Sequence, residues 1–283
     1  MKPPLIVSGP TGAGKSAFAM AIAERYGATL VSMDAMHVYR GMDIGTNKPS
    51  RGDRLRVRHV GIDIRNPDED YSAAEFLKLA EAEADAGPVV LCGGTPFYLR
   101  AWLLGLVSAP AGDPALRAEL ERLEDPHAAL AAVDPVLAAR LHPHDRVRVL
   151  RGLEVFRLSG VPLSTIHAQD PQERREGGVI WIDRPDLDRV IDGRVLTMMD
   201  AGYAEEVRQL MEAGYGPQHK PMRSLGYRHL VDWLSGKSTE EDAIRLTQRD
   251  TRRYARKQRT FLRGLGLTPC TDPEAAVRGA WGT

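Results

Sequence analysis

Cysteine is nearly absent: the 283 residues hold two, Cys92 and Cys270, and no CxxC pair. That excludes a disulfide framework and gives no sign of a cysteine-built zinc site, so a reducing, cytoplasmic setting is expected. Long apolar runs are missing too. None approaches the roughly 20 residues of a membrane-spanning helix, and Met1 to Ser8 is too short and too soon interrupted for a secretory signal, so no membrane role is expected. There is no internal repeat and no low-complexity tract. Neither sign of charge is in surplus, with 38 basic residues against 38 acidic. A neutral total argues against a nucleic-acid binder, which is usually basic.

What is present is a balance typical of a soluble globular protein, 43% hydrophobic and 27% charged. The length suffices for one sizeable core and a smaller domain. The neutral total also hides an uneven distribution. Arg245 to Arg263 holds eight Lys or Arg and one acid, Asp250, while acids gather in Asp68 to Asp85 and Glu119 to Asp125. Local fields matter more than the sum.

Leu5 to Val7 reads as a buried strand, followed by a Gly-rich turn and a helix from Ser16 to Tyr26. Thr29 to Met33 and Val89 to Cys92 read as further strands, with a helix over Ala73 to Ala86 between them. Strands alternating with helices predict a parallel, doubly wound α/β sheet, whose ligands bind beyond the carboxyl ends of the strands. After Leu106, Asp113-Pro, Asp125-Pro and Asp134-Pro punctuate a helix-rich stretch with an N-cap at each Asp. Val179 to Ile182 then reads as a returning strand. The expected organisation is a P-loop NTPase-like core of parallel sheet flanked by helices, residues 1–112 and 177–283, interrupted by a helical insertion domain, residues 113–176.

Gly9-Pro10-Thr11-Gly12-Ala13-Gly14-Lys15-Ser16 matches the P-loop pattern GxxxxGK[ST] in full, between a strand and a helix. Its glycines turn successive N–H groups towards a phosphate, Lys15 reaches the phosphate oxygens, and Ser16 can ligate Mg²⁺. The motif does not choose among phosphates. ATP and GTP are the usual guests, and a prenyl diphosphate presents the same group. Asp34 ends the second strand, where a carboxylate serves as general base, as Mg²⁺ ligand, or only as a helix cap. His37 and Tyr39 read as packing residues. Gly93-Gly94-Thr95 ends the next strand and aims a hydroxyl at the same region. Near the C-terminus Arg245, Arg249, Arg252, Arg256, Arg259 and Arg263 recur at spacings of four and three, one stripe of a helix. A row of one sign repels itself unless anions lie opposite, and an RNA phosphate backbone would supply them. Arg148 and Arg151, one turn apart beside His142 and His144, form a second, smaller basic patch.

Together these pieces resemble the tRNA dimethylallyltransferase family, also called tRNA isopentenyltransferase, in its bacterial form. The similarity runs from Gly9 to Arg263 through GPTGAGKS at 9–16, VYRGMDIGTNKP at 38–49, GGTPFYL at 93–99, RLHPHDRVRVLRGLEV at 140–155, MRSLGYR at 222–228 and TRRYARKQRTF at 251–261. The resemblance implies transfer of a dimethylallyl group from dimethylallyl diphosphate, with Mg²⁺, to N6 of the adenine 3′ to the anticodon. On this resemblance the P-loop holds the diphosphate, Asp34 is the base, Thr95 contacts the acceptor and transferring group, and Arg223 steadies the leaving diphosphate beside Lys15. Asp34, Ala35, Met36 and His37 would contact the flipped adenine. Arg117, Val147, Arg148, Val149, Leu150 and Arg151, with Arg223, Ser224, Leu225, Gly226, Tyr227 and Arg228, resemble the family's tRNA contacts. Arg252 and Arg256 would add phosphate contacts, and the insertion would grip the anticodon stem-loop. No obligate protein partner is implied. Ala35 stands where a Ser is common, His37 where a Gln is common, and Val190 where an Arg is typical, while Arg194 is kept. A P-loop kinase would explain Gly9 to Ser16 and Asp34 but leave the arginine stripe and the insertion idle.

Overall fold

The computed structural model describes residues 2–169, 175 and 178–282. The chain divides into two compact units, Met1–Leu103 with Arg175–Thr283, and Leu104–Arg174. The first unit is built on five parallel strands, β1 (Leu5–Ser8), β2 (Thr29–Ser32), β3 (His59–Val60), β4 (Val89–Cys92) and β5 (Val179–Trp181), in the order β3-β2-β4-β1-β5. This is the expected α/β class. Leu5, Ile6, Val7, Val89, Val90, Leu91, Ile180 and Trp181 are each no more than 1% exposed. Strands buried on both faces read as continuous apolar runs, which is why four of them were visible in the sequence. The fifth, β3, is two residues long, and its run His59-Val60 has no periodicity to detect.

Helix α1 (Lys15–Tyr26) starts where Gly14 takes a left-handed conformation, φ 95°, and stops at Gly27. Then come α2 (Arg51–Arg56), α3 (Ala73–Ala86) and α4 (Pro96–Leu104). Ser72 and Glu75 close a reciprocal capping box on α3, fixing its start between the apolar Phe76 and Leu77 and the preceding loop.

The second unit holds α5 (Pro114–Leu120), α6 (Pro126–Val133), α7 (Pro135–Ala138), α8 (Arg146–Ser159) and α9 (Leu163–Gln169). Asp113, Asp125 and Asp134 are N-caps with Pro directly after, as the Asp-Pro spacing predicted. The unit starts nearer 104 than the expected 113 because the preceding segment is tied into it. Arg151 donates to the Pro110 carbonyl and the Glu154 carboxylate accepts from the Asp113 N–H. Glu154 is buried, its side chain 1% exposed, and also takes Arg117 at 2.8 Å and Arg151 at 2.6 Å. Burial alone would raise its pKa, but hydrogen bonds from Arg151 and Arg117 hold it below the usual range. Glu154→Ala removes the acceptor common to three segments and leaves two half-buried guanidinium groups without it. We expect a loss of about 2–3 kcal/mol, read as an earlier urea midpoint; an unchanged midpoint would show that the cluster adds nothing to stability.

The chain returns through β5 to α10 (Leu187–Asp200), α11 (Tyr203–Glu212), α12 (Tyr227–Leu234), the 25-residue α13 (Glu240–Gly264) and α14 (Pro273–Trp281). No helix among the described residues is long and apolar enough to cross a membrane.

Candidate active site

The parallel order brings the loops after β1, β2 and β4 to one edge of the sheet. These are the P-loop, the segment from Asp34 and the segment Gly93 to Thr95. They border a cavity of about 690 Å³ whose lining includes Thr11, Asp34, Ala35, Met36, Thr95, Arg194, Arg223, Ser224, Leu225, Tyr227 and Arg228. Most of the residues named from the sequence as acceptor-site positions therefore face one space, although Arg223 to Arg228 lie far from Asp34 in sequence.

Asp34 is held from two sides. Its Oδ1 accepts from the Met36 N–H at 2.9 Å, and the Thr95 hydroxyl oxygen accepts from the Ala35 N–H at 3.0 Å. Thr95 in turn donates its own N–H to the Met33 carbonyl. The carboxylate is thus oriented by backbone, with an oxygen left for other chemistry. In the P-loop Gly12 and Gly14 adopt φ 83° and 95°, which side-chain-bearing residues rarely do. Lys15 folds back to donate to the Pro10 carbonyl at 2.7 Å. Burial pushes the Lys15 ammonium down to about 8, against the opposing pull of Cys92 and Asp34. The thiol of Cys92 is pushed up to about 11, also by burial. Ser16 faces a neighbouring cavity of about 530 Å³, with Met20, His37 and Cys92.

Cationic groups crowd the first cavity. Arg194 lies 3.5 Å from the Thr11 hydroxyl; burial works against its charge and Asp34 works for it. The Arg223 side chain has no ion pair or hydrogen bond among the described residues. Arg228 and Arg249 both bond Asp250, and the Arg249 hydrogen bond, assisted by Arg228 and His229, holds that carboxyl far below its ordinary range. Arg253 and Lys257 complete the wall on α13. Tyr203 and Ser224 also line this space, but their hydroxyls are buried and have no protein hydrogen-bond partner among the described residues.

Several of the residues expected to contact RNA have protein partners or are buried in this geometry. Arg252 and Arg256 do not stand free: they pair with Asp192 and Asp188 of α10, and Arg259 grips Asp183 at 2.7 and 2.9 Å. The anions opposite the stripe are carboxylates of the neighbouring helix and of the loop before it. Val149 and Leu150 are 0% and 3% exposed, in the core of the second unit, because α8 turns them inward while Val147 is 75% exposed. Arg117 and Arg151 are held by Glu154, and Arg148 pairs with Asp145. Both ring nitrogens of His37 have protein partners. Nδ1 pairs with the Ser32 hydroxyl at 2.9 Å and Nε2 with the Thr46 carbonyl at 3.2 Å, so the network assigns the proton to Nε2. Tyr227 lines the cavity, yet its hydroxyl is spent on Glu206.

Other residues emerge only from the fold. Glu206 accepts the N–H groups of Asp43, Ile44 and Gly45 at 2.7, 2.6 and 3.1 Å, suspending the loop within VYRGMDIGTNKP. Lys48 of that motif is buried between Asp63, at 2.6 Å, and Asp43, at 2.8 Å. Tyr254 and Gln258 on α13 reach the Gly94 carbonyl. Their spacing of four, on the face away from the arginine row, was the available signal.

A parallel sheet with a GxxxxGKS loop between its first strand and first helix, and a carboxylate facing guanidinium groups across one cavity, defines an α/β protein of the P-loop class. Residues 37–265 match the family model described as IPP transferase. The tRNA dimethylallyltransferase of Geobacter metallireducens is 45% identical over 275 residues, covering 92% of this chain and 89% of the relative. A tRNA dimethylallyltransferase 1 of Citrifermentans bemidjiense is 43% identical over 268 residues, with 91% and 88% covered. A crystal structure of a tRNA isopentenylpyrophosphate transferase from Staphylococcus epidermidis superimposes with a TM-score of 0.65 at 31% identity, covering 92% of this chain and 90% of that one. A eukaryotic dimethylallyltransferase described as acting on tRNA gives a TM-score of 0.78 at 26% identity, covering 92% and 70%. The chain belongs to the IPP transferase family, that of the tRNA dimethylallyltransferases.

Proposed function

We propose that this protein transfers the dimethylallyl group of dimethylallyl diphosphate to N6 of the adenine 3′ to the anticodon in tRNA. The observation that carries the reading is the backbone-oriented Asp34 carboxylate on one wall of a cavity whose other walls present Arg194 and Arg223. An amine conjugated to a purine is a poor nucleophile, so its proton must leave as the C–N bond forms. Asp34 takes it. The allylic C–O bond breaks and the diphosphate departs with its charge, which Lys15 and Arg223 offset. Thr95 fixes the Asp34 turn and lies against the acceptor. A stacked adenine cannot enter such a cavity, so it is flipped from the anticodon loop, and the second unit, with the exposed Val147 and Arg148, grips the stem-loop. The reaction is cytoplasmic.

No cluster of three His, Cys, Asp or Glu among the described residues is arranged for a metal. Ser16, next to Lys15, and Asp34, whose charge acts on Lys15, offer oxygen donors of the kind Mg²⁺ takes, since in phosphate sites it uses one or two protein oxygens and completes its shell from phosphate and water. The Ser16 hydroxyl, with Asp34 as a second oxygen, would hold it; when bound it would supply charge neutralisation to the leaving diphosphate.

The test is a transfer assay with purified protein, Mg²⁺, radiolabelled dimethylallyl diphosphate and unmodified tRNA. Label on the adenine after the anticodon supports the reading. Label only on free AMP, or ATP consumed without transfer, rejects it.

A pH dependence follows from Lys15. Its depressed pKa means the ammonium is lost as pH rises through about 8. An anion binds the protonated form better, so affinity for Mg-pyrophosphate should be level below pH 8 and fall above it, by about tenfold per unit at most. Lys15→Met should bind weakly with a flat profile between pH 7 and 9.5. A falling wild-type profile that persists in Lys15→Met would assign the titration elsewhere.

A further inference from the structure

We propose that Gln258 is the positioning residue that fixes the gap between the diphosphate loop and the acceptor-side loop. It is 2% exposed on α13 and its amide spans the two. Oε1 accepts from the Thr11 N–H of the P-loop at 2.8 Å, and Nε2 donates to the Gly94 carbonyl of the Gly93 to Thr95 loop at 2.6 Å. The orientation admits no flip, since only an oxygen can take an N–H and only an N–H₂ can meet a carbonyl.

The surroundings fix the amide's position. A Cβ on Gly94 would lie 2.4 Å from Nε2 and 3.3 Å from the Gly9 carbonyl oxygen, so both loops and the amide meet where a side chain at 94 has no room. Ala255, one turn before Gln258, is 1% exposed and packs with Ala13, Leu187 and Ile191, which keeps the helix from receding from the P-loop. On the acceptor side, the Thr95 oxygen next to Gly94 holds the Ala35 N–H beside Asp34. One side chain thus links Thr11, in the loop that holds the donor, to the segment that orients the base. Glutamine is required for this link. An apolar residue of its length leaves the Thr11 N–H unpaired in a buried place and the Gly94 carbonyl with only the long Tyr254 contact at 3.4 Å, and a carboxylate sets oxygen against oxygen at Gly94.

This inference rests on the transfer reading above, in which donor and acceptor must meet within a fraction of an ångström. A misplacement of 1 Å can cost about 100-fold. Gln258→Met and Gln258→Glu, with Gly94→Ala as a variant that displaces the amide without altering α13, are compared with wild type in single-turnover transfer and tRNA binding. A folded Gln258→Met or Gly94→Ala protein should lose about 10- to 100-fold in kcat, with KM and Kd for tRNA within about two-fold. A purely structural role would instead lower melting temperature and tRNA affinity together. Transfer within about two-fold of wild type in either folded variant, or a matching collapse of tRNA binding, overturns the proposal. If the wild-type protein transfers no label, the functional reading fails, and affinity for Mg-pyrophosphate decides Gln258 separately. A drop of about tenfold or more in Gln258→Met then supports its hold on the P-loop, and wild-type affinity overturns it.

Discussion

Asp34→Asn is expected to slow prenyl transfer by about 100- to 10,000-fold while leaving tRNA affinity within about two-fold. The substitution is nearly isosteric, and the retained Oδ1 still accepts the Met36 N–H that shapes the turn. Thr95 still takes the Ala35 N–H, so the adjoining backbone keeps its form. What the amide cannot do is accept the proton of the purine amine. The deficit belongs in kcat, measured in single turnover with saturating tRNA and donor, since a group that acts only as the proton leaves contributes nothing to ground-state binding. A large loss of tRNA affinity with normal turnover would give Asp34 a binding role and send the search for a base elsewhere. A full loss of folding is not expected, because no salt bridge ends on this carboxylate among the described residues.

Asp34 was legible in the sequence because it follows a β-branched, apolar run, and in a parallel sheet that position points to the ligand edge. The Asp-Pro caps were legible for a similar reason, since cap chemistry is local: donor and acceptor lie within three residues. Pairings across the fold were not. The acids that meet Arg252, Arg256 and Arg259 lie 60, 68 and 76 residues away, so a row of arginines read along one helix calls for an outside anion. The partners of His37 were hidden for the same reason, because Ser32 and Thr46 reach its ring only once β2 and the following loop have folded. Gln258 meets partners 247 and 164 residues distant, and no spacing rule reaches that far. Helical period alone does separate Val147 from Val149 and Leu150, yet a motif match treats all three alike.

Because Arg252 and Arg256 are paired with carboxylates, RNA contacts are expected one residue around α13. Arg253 and Lys257 line the cavity, whereas Arg252 and Arg256 turn to Asp192 and Asp188. Lys257 has no carboxylate partner among the described residues, and Arg253 only a loose one, Asp250 at 3.8 Å. Cations left without protein anions are those that displace counterions when a phosphate backbone arrives. Arg253→Ala with Lys257→Ala should therefore weaken tRNA binding by about 10- to 100-fold at low salt and reduce the slope of log K against log[salt] by about 2, roughly one unit for each phosphate that is no longer neutralised. Arg252→Ala with Arg256→Ala should leave that slope unchanged. Its cost falls on stability, about 1 kcal/mol or less per pair, because both pairs are partly solvent-exposed. Fluorescence anisotropy across a salt series, with a urea titration of each variant, separates the two. If the slope falls for the 252 and 256 pair and not for 253 and 257, the ion pairs with α10 open when RNA binds, and the stripe read from the sequence is the RNA-facing surface after all.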